Sequence, residues 1–138
     1  MNDNQKQPPK QVIVVRKDLN MRKGKIAAQV AHASMKVLLD LMQIDRLMWH
    51  TQRILSVEKD SSLDQWLEGK FTKICVSVDS EEELLDIYKK ASDNGLLCSL
   101  IQDAGLTEFG GVPTYTTCAI GPDYPEVIDL LTGQLKLL

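Results

Sequence analysis

No stretch of the 138 residues approaches the roughly 20 uninterrupted apolar positions that a helix needs to cross a bilayer. The first ten residues, Met1 to Lys10, are polar, with neither an apolar run nor a small-residue cleavage site, so they do not read as a secretory signal. Cysteine is scarce. Cys75, Cys98 and Cys118 are scattered singly through apolar segments, and three unpaired positions make neither a disulfide framework nor a zinc site. They read as buried thiols in a reducing compartment. With only two histidines, His32 and His50, a structural metal site of His and Cys is not expected. The glycines fall into neither a GxGxxG nor a Walker A pattern, and no nucleophile-elbow motif, repeat or low-complexity tract is present.

What is present suits one globular unit. The chain is 43% hydrophobic and 25% charged, enough apolar side chain to offset chain entropy, and its length fits a single domain. The expected organisation is a flexible tail over 1–10, closed by Pro8 and Pro9, followed by one domain over 11–138. The net charge of −3 argues against a nucleic-acid partner, but the distribution does not. Residues 1–36 hold eight Lys or Arg against two acids, whereas the remainder holds eight against seventeen. Charges beyond about 8–10 Å are screened, so a polyanion can dock on one basic face of an acidic protein. A solvated basic N-terminus explains the same asymmetry.

Hydrophobic patterning gives alternating elements. Gln11–Arg16 is continuously apolar and β-branched, as expected of a strand buried on both faces. After a polar connection ending at Gly24, a helix is predicted from Lys25 to at least Met42, continuing with a kink through Trp49 to Leu55. Met48 and Trp49 then read as core or helix-packing residues rather than as a partner patch. Leu63–Leu67 suggests one helical turn and Thr72–Val78 a second strand. Ser80 with Glu83 forms a capping box for the next helix, which Gly95 stops. Leu97–Gln102 and Tyr115–Ile120 are the third and fourth strands, joined by a glycine-containing loop. Pro125 and Glu126 open a last helix that Gly133 ends, and the tail Gln134–Leu138 is expected to return apolar side chains to the core. This order predicts a three-layer α/β/α sandwich around a mixed, mostly parallel sheet of four strands.

Two constellations carry chemistry. Lys25, Gln29, His32 and Lys36 recur at helical spacing and share one polar stripe, opposite the apolar stripe of Ile26, Val30, Ala33 and Val37. Lys25, with Arg22 and Lys23 just before it, lies at a helix start, where free N–H groups favour an anion. An ordinary wet helix face fits the same pattern. The second constellation, Asp103-Ala104-Gly105-Leu106-Thr107, follows the third strand, and ligands bind beyond the carboxyl ends of parallel strands in open α/β sheets. Asp103 and Thr107 would then face Lys17, Asp18 and Lys25, although Asp103 capping a turn is an equal reading.

At these residues the sequence resembles the type 2 peptidyl-tRNA hydrolases. Lys17-Asp18-Leu19-Asn20-Met21, Gly24-Lys25, Ala28-Gln29 and His32-Ala33 resemble the family's N-terminal signature. Asp103-Ala104-Gly105, Thr107 and Thr116 resemble its central motif. Ala119-Ile120-Gly121-Pro122 and Thr132–Leu138 resemble its end. The resemblance covers residues 11–138, in several separated motifs in the right order. It implies a compact α/β fold with a four-stranded mixed sheet and helices on both faces. It also implies hydrolysis of the ester between a peptidyl group and the 3′ ribose of tRNA, in the cytoplasm and with no metal or organic cofactor. Peptidyl-tRNA is the implied partner, with no membrane partner; a homodimer is a further expectation, since members are often seen as dimers. Leu106 stands where many members have Arg, and the region 43–62 is longer than in compact members.

The expected mechanism is direct attack of water on the acyl ester. Asp103, acting alone or through His32, would orient or deprotonate the water, and Lys25 would stabilise the developing negative charge. Lys17 and Asp18 would shape the pocket, Gln29 would add a hydrogen bond, and Thr107 and Thr116 would position substrate. Arg22, Lys23 and Lys36 would meet the tRNA backbone. A thioester or acyl-serine route lacks an evident base. The competing reading is a non-catalytic module that binds RNA or protein on the same basic edge.

Overall fold

The computed structural model describes residues 7–138, so most of the tail expected over 1–10 lies outside the described residues. The strands are β1 (Lys10–Arg16), β2 (Gln43–Arg46), β3 (Thr51–Ile54), β4 (Lys73–Val78), β5 (Cys98–Asp103), β6 (Thr114–Asp123) and β7 (Lys136–Leu137). The helices are α1 (Lys23–Leu41), α2 (Ser62–Glu68), α3 (Glu81–Asp93) and α4 (Pro125–Thr132). A short 3-10 turn, Lys17–Leu19, joins β1 to the approach of α1, and Asn20 leaves it in the left-handed conformation, which asparagine tolerates.

Five strands form the main sheet, in the order β5-β6-β1-β4-β7, with β2 and β3 apart as a hairpin. The expectation of four mostly parallel strands is therefore corrected. Only β1 and β4 pair in parallel; β6 lies antiparallel to both β1 and β5, and β7 antiparallel to β4. The cause is the short return from β5 into β6, which reverses the chain, while the C-terminal residues add a fifth edge strand. β1, β4 and β5 nevertheless run in one direction, so their carboxyl ends share an edge of the sheet.

The expected three layers are present. β1 is central, and its alternation explains the unbroken apolar run. Val12 and Val14 point into one core, with Leu84, Ile87 and Ala91 of α3 and Ile128 of α4. Ile13 and Val15 point into the other, with Ala33 and Val37 of α1. Small and hydroxylated residues let α1 approach the sheet closely. The Ser34 hydroxyl donates to Gln11 Oε1 at 2.6 Å, and Ser99 Oγ donates to the Ala33 carbonyl at 2.7 Å.

The capping expectation for α3 holds. Ser80 Oγ accepts from the Glu83 N–H at 3.1 Å, and the Glu83 carboxylate reaches back to the Asp79 N–H at 3.0 Å. The helix expected beyond Met42 does not exist. The helix buries no residue beyond Val37, and helical stability comes mainly from packing one face. The strand residues that follow are mostly polar, and Gln43–Arg46 pairs antiparallel with Thr51–Ile54. Met48 and Trp49, read as core, stand 87% and 88% exposed at the hairpin tip. At the C-terminus Leu135 packs against the core, but Leu137 and Leu138 are exposed, so the tail returns only in part.

Leu84 is fully buried between α3 and the sheet. Leu84→Ala is expected to destabilise the fold by about 2–5 kcal/mol through the lost methyl groups and the cavity left behind. Urea unfolding that shows a lower midpoint at an unchanged slope checks this.

Candidate active site

α1 begins at the sheet edge where β1 and β5 end, and this brings its first turn to the end of β5. Lys25 Nζ lies 2.9 Å from Asp103 Oδ1, and both side chains are largely shielded from solvent. The same ammonium donates to Thr107 Oγ1 at 2.8 Å. The Phe109 ring walls its other side, with the centroid 5.6 Å from Nζ. Asp103 is gripped from three directions, because Gln29 Nε2 also donates to Oδ1 at 3.3 Å and the Gly105 N–H donates to Oδ2 at 2.8 Å. The turn-capping role and the ion-pairing role of Asp103 therefore coexist.

Gln29 is oriented from beneath. Thr116 Oγ1 donates to Gln29 Oε1 at 2.5 Å, so the amide turns its NH2 toward Asp103. Thr117 Oγ1 donates to the Gln29 carbonyl at 3.3 Å. Adjacent residues of a regular strand face opposite sides of the sheet, so two neighbouring threonines on one helix residue need an irregularity. It is present: Ile101 pairs with Thr117 and Gln102 with Tyr115, which leaves Thr116 as the extra residue of a bulge. The bulge turns both hydroxyls toward α1, a common way of re-aiming a side chain beside a site.

The loop after Asp103 needs Gly105. Its φ is +81°, and a Cβ there would overlap the Val112 backbone. The Gly111 N–H donates to the Gly105 carbonyl at 2.8 Å and closes the loop that carries Thr107 and Phe109.

The other expected residues are placed as follows. Arg22 and Lys23 are exposed at the start of α1, and the Arg22 backbone N–H faces Glu108 Oε2 at 3.4 Å. Asp18 is taken by Arg16, at 2.7 and 3.1 Å, and Lys17 is exposed beside it, so neither touches the Lys25–Asp103 pair. His32 is exposed and has no hydrogen-bond or ion-pair partner among the described residues. With Lys36 and Ile101 it lines a separate cavity of about 500 Å³. Lys36 is paired with Asp40 at 2.9 Å. Thr116 and Gln29, expected at the substrate, are 0% and 2% exposed and face inward. Glu108 and Phe109 carried no sequence signal, because a glycine-rich loop conceals which residues fold back. Among the described residues no three His, Cys, Asp or Glu side chains gather as metal ligands would.

Electrostatics sharpens these roles. The hydrogen bond from Lys25 holds the Asp103 carboxyl below the ordinary carboxylate range, with further help from the Gly105 N–H and the Gln29 amide. Burial pushes the thiols of Cys75, Cys98 and Cys118 up, which leaves none of them as a ready thiolate. An ammonium has three donors, and Lys25 spends two. A carboxylate has about four acceptor positions, and Asp103 spends three. By this count one donor and one acceptor position remain. A free ammonium N–H can polarise a carbonyl oxygen, and a free carboxylate position can accept from water.

The fold and this site thus define a three-layer α/β protein with a shielded lysine–aspartate pair at the carboxyl ends of its parallel strands. Comparison with known proteins narrows the class. Residues 9–138 match the family described as peptidyl-tRNA hydrolase PTH2, and the chain belongs to that family. It is 43% identical over 129 residues to a peptidyl-tRNA hydrolase of Methanocaldococcus jannaschii, covering 94% of this chain and 99% of that protein. Proteins of the same name from Sulfurisphaera tokodaii and Metallosphaera sedula are each 45% identical over 130 residues. These alignments cover 94% of this chain and 98% and 99% of the respective relatives.

Because the folded carboxyl of Asp103 is more acidic than its reference value of 3.8, its contribution to stability is present above that pH. The contribution is lost as pH falls through the lower folded value. Asp103→Asn is expected to be less stable than the parent at pH 7 and to converge toward it below pH 3.8. Urea unfolding at a series of pH values reads both curves.

Proposed function

We propose that this chain hydrolyses the ester between a peptidyl, or N-blocked aminoacyl, group and the 3′-terminal ribose of tRNA, returning tRNA to translation. Family membership over nearly the whole chain supports this over a non-catalytic binding module. The observation that carries the mechanism is the Lys25–Asp103 pair, with one donor and one acceptor unspent. Water is held by Asp103 Oδ2, and the ester carbonyl oxygen accepts the free N–H of Lys25. As the new C–O bond forms, the water proton passes to Asp103 and the ammonium stabilises the oxyanion. When the intermediate collapses, the ester C–O bond breaks and the proton goes to the departing ribose oxygen. The lowered carboxyl pKa makes Asp103 a weak base, so orienting water and fixing Lys25 are its main contributions.

Gln29 and Thr116 act as positioning residues behind Asp103, and Thr107 holds the lysine where substrate arrives. His32 is assigned to the substrate side rather than to the base, since it is joined to Asp103 by no bond. Lys17 and Asp18 belong to the rim of the same sheet edge. Arg22, Lys23 and Lys36 would face the tRNA backbone. The enzyme works as one domain over 11–138, in the cytoplasm, and among the described residues no helix is long and apolar enough to cross a membrane. A second copy of the chain is its other proposed partner.

Lys25→Ala and Asp103→Ala should each lower turnover of N-acetyl-aminoacyl-tRNA at least about tenfold with thermal melting still cooperative, a barrier increase of about 1.4 kcal/mol or more. The profile of kcat/KM against pH should show no inflection near 6.5, the ordinary histidine value, and His32→Ala should leave its shape unchanged. An inflection there that disappears in His32→Ala would make His32 the base.

Arg22→Ala and Lys23→Ala should mainly raise KM for tRNA and flatten its dependence on salt, since each phosphate contact adds to the salt slope. Initial rates at 50–300 mM salt (a range of roughly the size that separates such slopes) measure this directly.

A further inference from the structure

β5 is an open edge of the main sheet. Its one neighbour is β6, so the backbone groups along its outer side are unpaired among the described residues. Alternation shows which groups these are. The Gly121 N–H donates to the Leu97 carbonyl at 2.7 Å, so Leu97, Ser99 and Ile101 turn their backbone toward β6. Cys98, Leu100 and Gln102 turn theirs outward. Sheet edges are ordinarily protected by charge, proline, shortness or a covering element. The opposite edge strand, β7, is two residues long and includes Lys136. Residues 98–102 carry neither charge nor proline, and β5 has six residues, about 20 Å at the usual rise of a strand.

This edge leads to the Lys25–Asp103 pair. Asp103 is its last residue, and α1 runs back along it, from Lys25 at Asp103 to Ala33, whose carbonyl accepts from Ser99 Oγ. Between α1 and the edge lies a cavity of about 500 Å³, lined by Ile101 and by His32, Met35 and Leu39. Met35 and Leu39 are half-exposed there. A strand added to β5 would lay every second side chain over this cavity. The substrate can supply such a strand. Peptidyl groups differ in sequence and share a backbone, and main-chain pairing on a sheet edge holds an extended peptide whatever its sequence.

Resting on the hydrolase reading above, we propose that the peptidyl group of the substrate binds as an extended strand added parallel to β5. Chemistry fixes the direction. The ester is the carboxyl end of the peptide and must reach Lys25 and Asp103, which lie at the carboxyl end of β5. The peptide then runs back along the strand, while the tRNA leaves toward Arg22 and Lys23 at the start of α1. With the ester-bearing residue opposite Asp103, the third residue from the ester lies opposite Ile101. In a parallel pair its N–H donates to the Leu100 carbonyl, and its own carbonyl accepts from the Gln102 N–H. The second residue turns its N–H away from β5. Side chains directly opposite one another share a face, so the third one meets Met35 and Leu39 in the cavity. Recognition is thus carried by backbone along the edge, with an apolar preference at the third residue.

The test uses the full chain and tRNAs that carry acetylated peptides of increasing length. Release from N-acetyl-aminoacyl-tRNA reports the hydrolase reading by itself, whereas dependence on peptide length reports the added strand. KM should fall at least about fivefold from a single residue to a pentapeptide, since each backbone hydrogen bond contributes. N-methylation at the third residue's nitrogen should undo most of that gain, and at the second should leave it intact. Met35→Asp should raise KM for a pentapeptide with leucine in third place at least about threefold, by setting a charge against an apolar side chain. It should leave KM for N-acetyl-aminoacyl-tRNA unchanged, and Leu39→Ser is the second variant if Met35→Asp fails to fold. Binding without turnover is read by amide hydrogen exchange, with an acetyl-pentapeptide joined through an amide to 3′-amino-adenosine as the probe. The Leu100 and Gln102 amides should then exchange at least about tenfold more slowly. A KM independent of length overturns the proposal, as does sensitivity at the second nitrogen as great as at the third. So do Leu100 and Gln102 amides that the probe leaves unprotected. A Met35→Asp protein with both KM values raised alike would overturn it in favour of tRNA in the cavity, against His32 and Lys36.

Discussion

The ion pair between Lys25 and Asp103 is the constraint around which the site is arranged. It joins the first turn of α1 to the last residue of β5 across a 2.9 Å contact. Neither charge is fully in water, so each depends on the other and on the hydrogen bonds around them. Thr107, Gln29 and the Gly105 N–H are all directed at this pair. The result is a fixed, preorganised charge with one donor and one acceptor to spare. Preorganisation of that kind stabilises a developing oxyanion without reorienting anything at the moment of reaction.

The fold is shaped to hold the pair. β1 supplies both cores by simple alternation, and its two faces carry α1 on one side and α3 and α4 on the other. Behind the pair, the bulge at Thr116 aims two hydroxyls at Gln29. Thr116 and Gln29 are buried, and the chain of hydrogen bonds from Thr116 through Gln29 ends on Asp103. Partly exposed and buried positions are therefore divided between residues that look alike in sequence, since all are polar members of the same motifs.

Much of this was legible before folding. β1, β4 and α3 follow from β-branched runs and from the Ser80 and Glu83 cap, all local signals. Lys25 and Asp103 were legible as a helix-start cation and a strand-end carboxylate. The hairpin was not, because Gln43–Leu55 contains enough apolar residues to extend the helical pattern, while the packing that would reward a longer helix ends at Val37. The bulge was not legible either, since Thr116 and Thr117 in a regular strand would face opposite sides. Glu108 and Phe109 stayed hidden because their positions depend on how the loop closes through Gly105 and Gly111.

The amino-acid order by itself determined the elements whose information is local: which segments bury two faces, where helices begin, and which residue types could bear charge at their ends. Tertiary structure alone decided the strand order, the antiparallel insertion of β6, and the meeting of Lys25 with a carboxylate 78 positions away. It also decided that Asp18 pairs with Arg16 and that Trp49 lies outside the core. The physical reason is range. Capping and periodicity act over a few residues, whereas the partner of a charge and the burial of a side chain are set by whatever the rest of the chain places against them.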